Sequence, residues 1–433
     1  MLAKKQSIIA LFSILIICVI SGFLYKNYTK TRDGLIVEVP IEAFDNNGIL
    51  IDENWKRYLI ERKPVGVIFF KDHFKNKEVG KKIVEEVKKA INDKVILSVD
   101  EEGGRINRFS WLDIKSAEEV ANEYFKIQSK EGNEKAKEFI RQQYIPMFQE
   151  MNDLGLNMTF APNLDLNKYA NLQEGTNEYE NYKQCVKYVR LARKDDWKIK
   201  EDERQDYINS FLFLVYLDEI GKRKINLKFL DNKDKIEKVM QQRKQMNENE
   251  KQNLIKQFEP LVKYVNYVSV VGDRSFGLDL TIVSEIAGIF VDTAKDFGIK
   301  CVAKHALGHG RVDGDTHLEK QHIATSIENI INDIQPYISL KDKIDFIMPS
   351  HIIYDAIDDK NSAINSKKVL KFIREKVKKD VIFITDDISM DGANDEIKSP
   401  CELWIVSHKT INDIKKIGKK NRLKTSKVDK IFK

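Results

Sequence analysis

Eight short apolar segments, separated by amphipathic helical patterns, constrain the fold of this chain more than any other feature. Near-continuous apolar strands that alternate with amphipathic helices are typical of a parallel sheet covered on both faces. Eight such units predict an α/β fold, namely a (β/α)8 barrel of the TIM type. An open doubly wound sheet is the alternative, but no GxGxxG motif follows a strand, which counts against a dinucleotide-binding version. The predicted strands are residues 35–39, 65–70, 95–99, 156–160, 299–303, 344–348, 381–385 and 402–406.

One internal segment breaks this alternation. Residues 169–263 are charged, rich in Asn and Gln, and contain no clear strand–helix unit. Since they follow the fourth predicted strand, we expect a helical insertion in the loop after that strand. A chain of 433 residues has room for one large barrel domain with such an insertion. The predicted domain is therefore a barrel over residues 33–433 that is interrupted by 169–263.

The N-terminal segment has the pattern of a membrane or export signal. Residues 8–24 are apolar and have lysines on both sides. The run is slightly short for a membrane span and long for the apolar core of a signal peptide. Residues 1–32 are therefore predicted to be an uncleaved signal anchor, with a cleaved signal peptide as the alternative. Either places the remainder of the chain outside the inner membrane, on the periplasmic or extracellular side; a cytoplasmic location is the alternative.

Charge and cysteine content exclude several classes of protein. The formal net charge of +6 comes from 73 basic and 67 acidic residues, so the basic excess is small and no nucleic-acid partner is expected. The four cysteines show no CxxC spacing, which argues against a zinc ribbon and a disulfide framework.

A polar, glycine-containing loop follows the fifth predicted strand. It begins with Lys304 and His305, continues through His309, and reaches Asp315 and His317. Taken alone, this loop allows three interpretations. Its side chains are simply solvated; or His305, His309, Asp315 and His317 bind a metal ion; or Asp315 polarises His317 for proton transfer.

Charged residues also follow four other predicted strands. Because the carboxyl ends of barrel strands meet on one rim, where TIM-type enzymes carry their active sites, these residues are expected to converge. They include Asp100 and Arg108 after the third strand, Arg274 after the fourth, His351 after the sixth and Asp386 after the seventh. The pattern predicts an active site on this rim, with His351 supporting it from behind.

Six short stretches together resemble bacterial β-N-acetylglucosaminidases of glycoside hydrolase family 3, of the NagZ type. The stretches occur in the order of the family, and the resemblance as a whole covers residues 34–406. They are VDEEGGRINRF at 99–109, FAP at 160–162, GDRSFG at 272–277, KH with GHG at 304–310, DTH at 315–317 and DDISM at 386–390.

The resemblance implies an exo-acting, retaining β-N-acetylhexosaminidase. Such an enzyme removes terminal β-linked N-acetylglucosamine from peptidoglycan-derived muropeptides through a covalent glycosyl-enzyme intermediate. By match to the motifs, Asp386 is the nucleophile, and His317 is the acid/base, with Asp315 as its dyad partner. An imidazole beside a carboxylate is held ready to donate a proton, and can later activate water.

The resemblance also assigns the sugar-binding residues. Asp100 would accept hydrogen bonds from hydroxyl groups, while Arg108, Arg274, Lys304 and His305 would donate them. The implied partner is a small carbohydrate, and the implied protein is a monomer that needs no cofactor and no metal ion. A structural role is expected for Arg105, which lies in the same loop as Asp100.

Two departures from the family pattern leave other functions open. Ala306-Leu307 stands where the family usually has Phe-Pro, which is expected to loosen the loop, and Glu101 stands where it usually has Gln, a mild change. One alternative is a wall-sugar-binding protein with weakened catalysis. Another is a glycosidase of the same fold that uses phosphate instead of water as the acceptor.

Overall fold

The computed structural model describes residues 31–45, 50–91, 94–192, 199–220, 233–312, 320–388, 399–424 and 431–432. Within these ranges, eight parallel strands close into a barrel in the order β2-β3-β4-β5-β6-β8-β10-β11, and β11 pairs back with β2. The predicted TIM-type barrel is thus confirmed. The strands are β1 (Thr31–Asp33), β2 (Leu35–Glu38), β3 (Gly66–Phe69), β4 (Ile96–Val99), β5 (Met158–Thr159), β6 (Lys300–Ala306), β7 (His322–Ile323), β8 (Phe346–Pro349), β9 (Ile353–Tyr354), β10 (Ile382–Asp387), β11 (Leu403–Val406) and β12 (Arg422–Lys424).

Helices cover the outside of the barrel and build the segment between β5 and β6. They are α1 (Glu53–Arg62), α2 (Lys77–Ile91), α3 (Ala117–Glu131), α4 (Asn133–Asp153), α5 (Asn177–Leu191), α6 (Arg204–Glu219), α7 (Lys233–Gln245), α8 (Glu248–Phe258), α9 (Val262–Val270), α10 (Leu280–Asp296), α11 (Ile327–Asp333), α12 (Gln335–Ser339), α13 (Lys367–Lys376) and α14 (Ile411–Lys420).

Alternation along each strand separates two apolar cores. Successive side chains of a strand point to opposite faces of the sheet. Ile36, Val302 and Ile384 therefore meet inside the barrel, while their neighbours, such as Val37 and Ala303, pack outward against the helices. This alternation fixes which side chains at the strand ends face the barrel mouth.

The amino-terminal end of the barrel is closed by both ends of the described chain. β1 pairs antiparallel with β12, and Arg422 of β12 is ion-paired with the buried Asp33 of β1. From the C-terminal part of the chain, Leu423 and Ile431 join the apolar cluster inside the barrel. Among the described residues, this end of the barrel is therefore sealed, and the mouth of the barrel lies at the carboxyl ends of the strands.

The segment between β5 and α10 has an apolar core of its own. The buried side chains of α5 through α9 form a separate cluster that runs from Tyr182 to Val271. The segment is thus packed around its own apolar cluster, which extends to Val271 in the residues that the structure describes. The predicted bounds of the insertion, residues 169–263, stay a prediction.

The predicted membrane segment, residues 8–24, lies outside the described residues. Among the helices that the structure does describe, none combines the length and the apolar character that a bilayer span requires.

The helical layer provides a stability test at Phe290. This ring on α10 is buried and lies 4.7 Å from the ring of Tyr144 and 5.0 Å from that of Phe148, measured between centroids. Phe290→Ala removes these contacts and leaves a cavity, so we expect the free energy of unfolding to fall by about 3–5 kcal/mol. Urea denaturation measures it.

The matched control is Phe125→Ala, since the Phe125 side chain is 45% exposed. It should change the free energy of unfolding by no more than about 0.5 kcal/mol. Equal losses in the two variants would contradict the packing described here.

Candidate active site

Three charged side chains stand at the barrel mouth, at the carboxyl ends of their strands. Lys304 is in step with the interior residue Val302, two positions earlier in β6, and Asp386 lies at the end of β10, where the register of β10 on β11 shifts after Ile384. Asp100 follows β4 directly and is hydrogen-bonded to Lys304. The carboxyl ends of three strands thus deliver these groups to one rim, as the sequence predicted.

Lys304 is the centre of a network of opposite charges. Its ammonium nitrogen lies 2.5 Å from an oxygen of Asp100 and 2.5 Å from an oxygen of Glu102. Arg108 donates to the other oxygen of Asp100 at 3.2 Å. Arg274 forms a bidentate pair with Glu102, with distances of 2.9 and 2.6 Å. The structure therefore brings together four of the five residues that were predicted to bind the sugar.

The charges of this network stabilise its ionised form. Burial alone would raise the pKa of Glu102, but the charges of Arg274 and Lys304 outweigh it and lower that pKa below the ordinary range. Within the network itself, the three cations Arg108, Lys304 and Arg274 and the two carboxylates Asp100 and Glu102 leave one net positive charge. The network can therefore donate hydrogen bonds to hydroxyl and carbonyl oxygens, while Asp100 accepts them.

The fifth predicted sugar-binding residue, His305, is oriented by a buried carboxylate. Nδ1 of His305 lies 2.7 Å from Oδ2 of Asp165, and Nδ1 of His309 lies 3.5 Å from the same oxygen. The other oxygen of Asp165 accepts the backbone N–H of His309 at 2.9 Å. Burial lowers the pKa of His305 to about 4, so the ring is neutral at pH 7. With Nδ1–H directed to Asp165, Nε2 of His305 is an acceptor nitrogen, whereas the sequence pattern predicted a donor.

Asp165 was not among the predicted site residues. Its only sequence signal is its position shortly after the fourth strand, since its partners His305 and His309 lie 140 and 144 residues away in the chain. The same three side chains could also hold a metal ion, because their ligand atoms lie within 4.8 Å of one another. A metal ion would have to displace the proton between His305 and Asp165.

The predicted nucleophile, Asp386, lies on β10 and is partly exposed at the mouth. One of its oxygens accepts the backbone N–H of Asp387 at 2.7 Å, and the other lies 4.0 Å from Nε2 of the buried His351. Asp387 points elsewhere, because its carboxylate accepts the hydroxyl and the backbone N–H of Ser407. Of these consecutive carboxylates, Asp386 is the one beside a buried imidazole, and Asp387 holds the end of β11.

The predicted acid/base pair cannot be placed. Asp315 and His317 lie in residues 313–319, outside the described part of the chain. Their assignment therefore stays a prediction, and so does the metal site that would have included them.

The loop around Ala306 and Leu307 is held by a tyrosine. Both residues are buried, the Tyr354 hydroxyl accepts the N–H of Leu307 at 3.1 Å, and it donates to the carbonyl of Gly308 at 2.9 Å. These contacts tie the loop to β9 at the position where the family usually has a proline.

Glu101 is fully buried behind the loop that carries Asp100 and Arg108. Its two oxygens accept the backbone N–H groups of Gly103 at 3.2 Å and Arg108 at 2.6 Å. Burial raises the pKa of Glu101 to about 8 despite these hydrogen bonds. The replacement of Gln by Glu at this position is thus a larger chemical change than the sequence suggested.

Comparison with known families and proteins gives a consistent result. Residues 40–194 and 225–407 of this chain match the glycosyl hydrolase family 3 N terminal domain. The unmatched residues between these ranges lie inside the helical insertion. The match therefore includes every described residue of the network around Lys304, together with Asp165 and Asp386.

Curated relatives match part of the chain. A Beta-hexosaminidase of Idiomarina loihiensis is 31% identical over 137 residues, which are 31% of this chain and 42% of the relative. A Beta-hexosaminidase of Haemophilus ducreyi is 34% identical over 140 residues, which are 32% of this chain and 41% of the relative. The aligned part thus spans about two fifths of the length of these relatives.

Solved structures share the fold at low sequence identity. Native NagZ from Neisseria gonorrhoeae superposes with a TM-score of 0.59 at 18% identity, covering 89% of this chain and 85% of that chain. NagZ from the same organism in complex with N-trifluoroacetyl-D-glucosamine gives a TM-score of 0.59 at 17% identity, covering 93% and 94%. These likenesses support the barrel fold independently of the sequence motifs.

Glu101 predicts a pH dependence of stability. Its folded pKa of about 8 lies above the unfolded value of about 4.3, so the folded state keeps a proton that the unfolded state releases between these values. The stabilisation is fully present below the unfolded pKa and is lost as the pH rises through 8. Relative to Glu101→Gln, the wild type should lose at least about 1 kcal/mol of unfolding free energy between pH 5 and pH 8.5.

Urea denaturation of both proteins at these two pH values measures the difference. The exposed Glu375→Gln is the control: it keeps Glu101, so its unfolding free energy should differ from that of the wild type by the same amount at both pH values. A difference between wild type and Glu101→Gln that stays constant would mean that Glu101 titrates normally.

Proposed function

Because this chain belongs to glycosyl hydrolase family 3, we propose that it is an exo-acting, retaining β-N-acetylglucosaminidase. The observation that carries the proposal is the network around Lys304, which lies at the same barrel mouth as Asp386. The curated relatives, which are beta-hexosaminidases, support the choice of sugar, and so does the NagZ structure in complex with N-trifluoroacetyl-D-glucosamine.

Recognition of the sugar follows from the charges of the network. Asp100 accepts hydrogen bonds from sugar hydroxyls, and Arg108, Lys304 and Arg274 donate to hydroxyl or acetamido oxygens. His305 contributes the acceptor Nε2, since its Nδ1–H is directed to Asp165. Because the network is already assembled, little side-chain ordering is needed when the sugar binds.

The chemical step uses Asp386 as the nucleophile. Its partly exposed carboxylate attacks the anomeric carbon, the glycosidic bond breaks, and a covalent glycosyl-enzyme forms. Water then attacks the same carbon, which releases the sugar with retained configuration and restores the carboxylate. The buried imidazole of His351 lies 4.0 Å from this carboxylate, on the inner side of the site.

The acid/base role is proposed for His317, with Asp315 as its partner. The proposal rests on the Asp-Thr-His motif. A protonated imidazole would give its proton to the leaving oxygen, and the neutral ring would then take a proton from water. Three other described carboxylates of this region already have partners. Asp387 accepts from Ser407, Asp100 is paired with Lys304, and Glu102 is paired with Arg274.

The proposed natural substrate is a peptidoglycan fragment that ends in β-linked N-acetylglucosamine. The proposed site of action is outside the inner membrane, with residues 8–24 as the anchor or signal; the apolar run in the sequence supports this.

Asp386→Asn tests the nucleophile. Loss of the attacking carboxylate should lower the turnover of 4-nitrophenyl N-acetyl-β-D-glucosaminide by at least about a thousandfold. Release of nitrophenol is followed by absorbance, and the sugar product is identified as free N-acetylglucosamine or its 1-phosphate, which separates hydrolysis from phosphate-dependent cleavage. The exposed Asp345→Asn is the control and should keep wild-type activity. An Asp386→Asn variant that retains the wild-type rate would refute the mechanism.

His317→Ala tests the acid. Without a proton donor, substrates with poor leaving groups suffer most, so cleavage of the disaccharide chitobiose should fall far more than cleavage of a 2,4-dinitrophenyl glycoside. The kcat/KM values of both substrates give the comparison. His322→Ala, which changes an exposed histidine, should leave both values unaltered. Equal losses on the two substrates would argue against an acid role for His317.

A further inference from the structure

The last helix of the insertion ends at the sugar-binding network. α9 stops at Val270, and the final carbonyls of a helix lack partners within the helix and carry partial negative charge. Two guanidinium groups satisfy them. Arg105 donates to the carbonyls of Ser269 at 3.3 Å and Val271 at 3.1 Å, and Arg274 donates to that of Val270 at 2.6 Å.

Arg105 is fixed in turn by a buried carboxylate. Its Nη1 lies 2.9 Å from an oxygen of Asp273, and the two side chains are 0% and 2% exposed. A charge this deeply buried needs a partner, because an unpaired one is strongly unfavourable. Since Arg105 comes from the loop after β4 and Asp273 from the turn after α9, the pair joins the barrel to the insertion.

Arg274 connects this junction to the sugar-binding network. One of its nitrogens donates to the end of α9, and two others hold Glu102. Asp273 precedes Arg274 in the same turn, Gly272–Arg274. The position of the turn therefore decides whether Arg274 reaches Glu102, which also contacts Lys304.

We propose that the Arg105–Asp273 pair positions Arg274 and thereby sets the affinity of the site for its sugar. The pair does not touch the reacting atoms; it acts by holding the end of the insertion against the loop that carries Asp100 and Glu102. The helical insertion is in this way part of the sugar-binding site. The inference rests on the proposed function, since it names residues that tune the same site.

The consequence is a separation of binding from chemistry. When the pair is broken, the turn after α9 is released and Arg274 no longer stays on Glu102, so the sugar loses a positioned donor. Asp386 lies on β10, whereas the pair joins the loop after β4 to the turn after α9, so its attack on bound sugar is expected to be unchanged. Affinity should therefore fall while the maximal rate is kept.

Asp273→Asn is the variant that tests this. It keeps the shape of the side chain and removes the charge that holds Arg105. We expect the Kd for N-acetylglucosamine, measured by calorimetry, and the KM for 4-nitrophenyl N-acetyl-β-D-glucosaminide to rise at least tenfold. A tenfold rise in Kd corresponds to ~1.4 kcal/mol of lost binding free energy. The kcat should stay within about threefold of the wild type, because the variant leaves Asp386 in place.

Asp33→Asn is the matched control. Asp33 is also a fully buried carboxylate, it is paired with Arg62 at 2.8 Å, and it lies at the opposite, sealed end of the barrel. This variant should lower the thermal unfolding midpoint and leave Kd and KM at wild-type values. If the Arg105–Asp273 pair were only structural, Asp273→Asn would behave in the same way, and the proposal would be overturned.

Arg105→Lys provides a second variant of the same pair. Lysine keeps the charge beside Asp273, but it lacks the planar fork that reaches two carbonyls and a carboxylate together. We expect a rise in Kd smaller than that of Asp273→Asn. If both variants failed to fold while Asp33→Asn folded, the pair would be a folding element only. Wild-type protein that neither binds nor hydrolyses the sugar would refute the proposed function as well, whereas an active wild type with an unchanged Kd in Asp273→Asn would refute this inference alone.

Discussion

The buried ammonium group of Lys304 is the charge around which the site is assembled. In the barrel interior a lone cation would be strongly unfavourable, and it is tolerated because Asp100 and Glu102 each lie within hydrogen-bonding distance. Each of these carboxylates binds a further arginine, one from the loop after β4 and one from the end of the insertion. The positive charge of Lys304 thus holds together β6, the loop after β4 and the turn after α9.

Most of the barrel could be predicted from the sequence, because each strand is a compact apolar run bounded by polar residues. Closure of the sheet then brings the strand ends to one rim, so Asp100, Arg274 and Lys304 could be grouped before any distance was known. The lengths of the strands were less predictable than their positions. β5 is limited to Met158–Thr159, although the apolar run is longer, because only these residues pair with both neighbouring strands.

What the sequence could not provide is the identity of partners that are distant in the chain. Asp165 orients His305 from 140 residues away, and Arg105 reaches the carbonyl of Val271 across 166. Neither residue has a local pattern that names its partner. Glu101 shows a second limit, since Glu and Gln look alike in a motif, and only burial reveals that the carboxyl group holds a proton near neutral pH.

The antiparallel pairing of β1 with β12 places residues 31 and 424 side by side at the sealed end of the barrel. The network around Lys304 and the carboxylate of Asp386 lie at the opposite end, at the carboxyl ends of the strands. A surface, a label or another domain attached next to this pairing would therefore be held on the far side from these charged groups. The mouth of the barrel would then face away from the support.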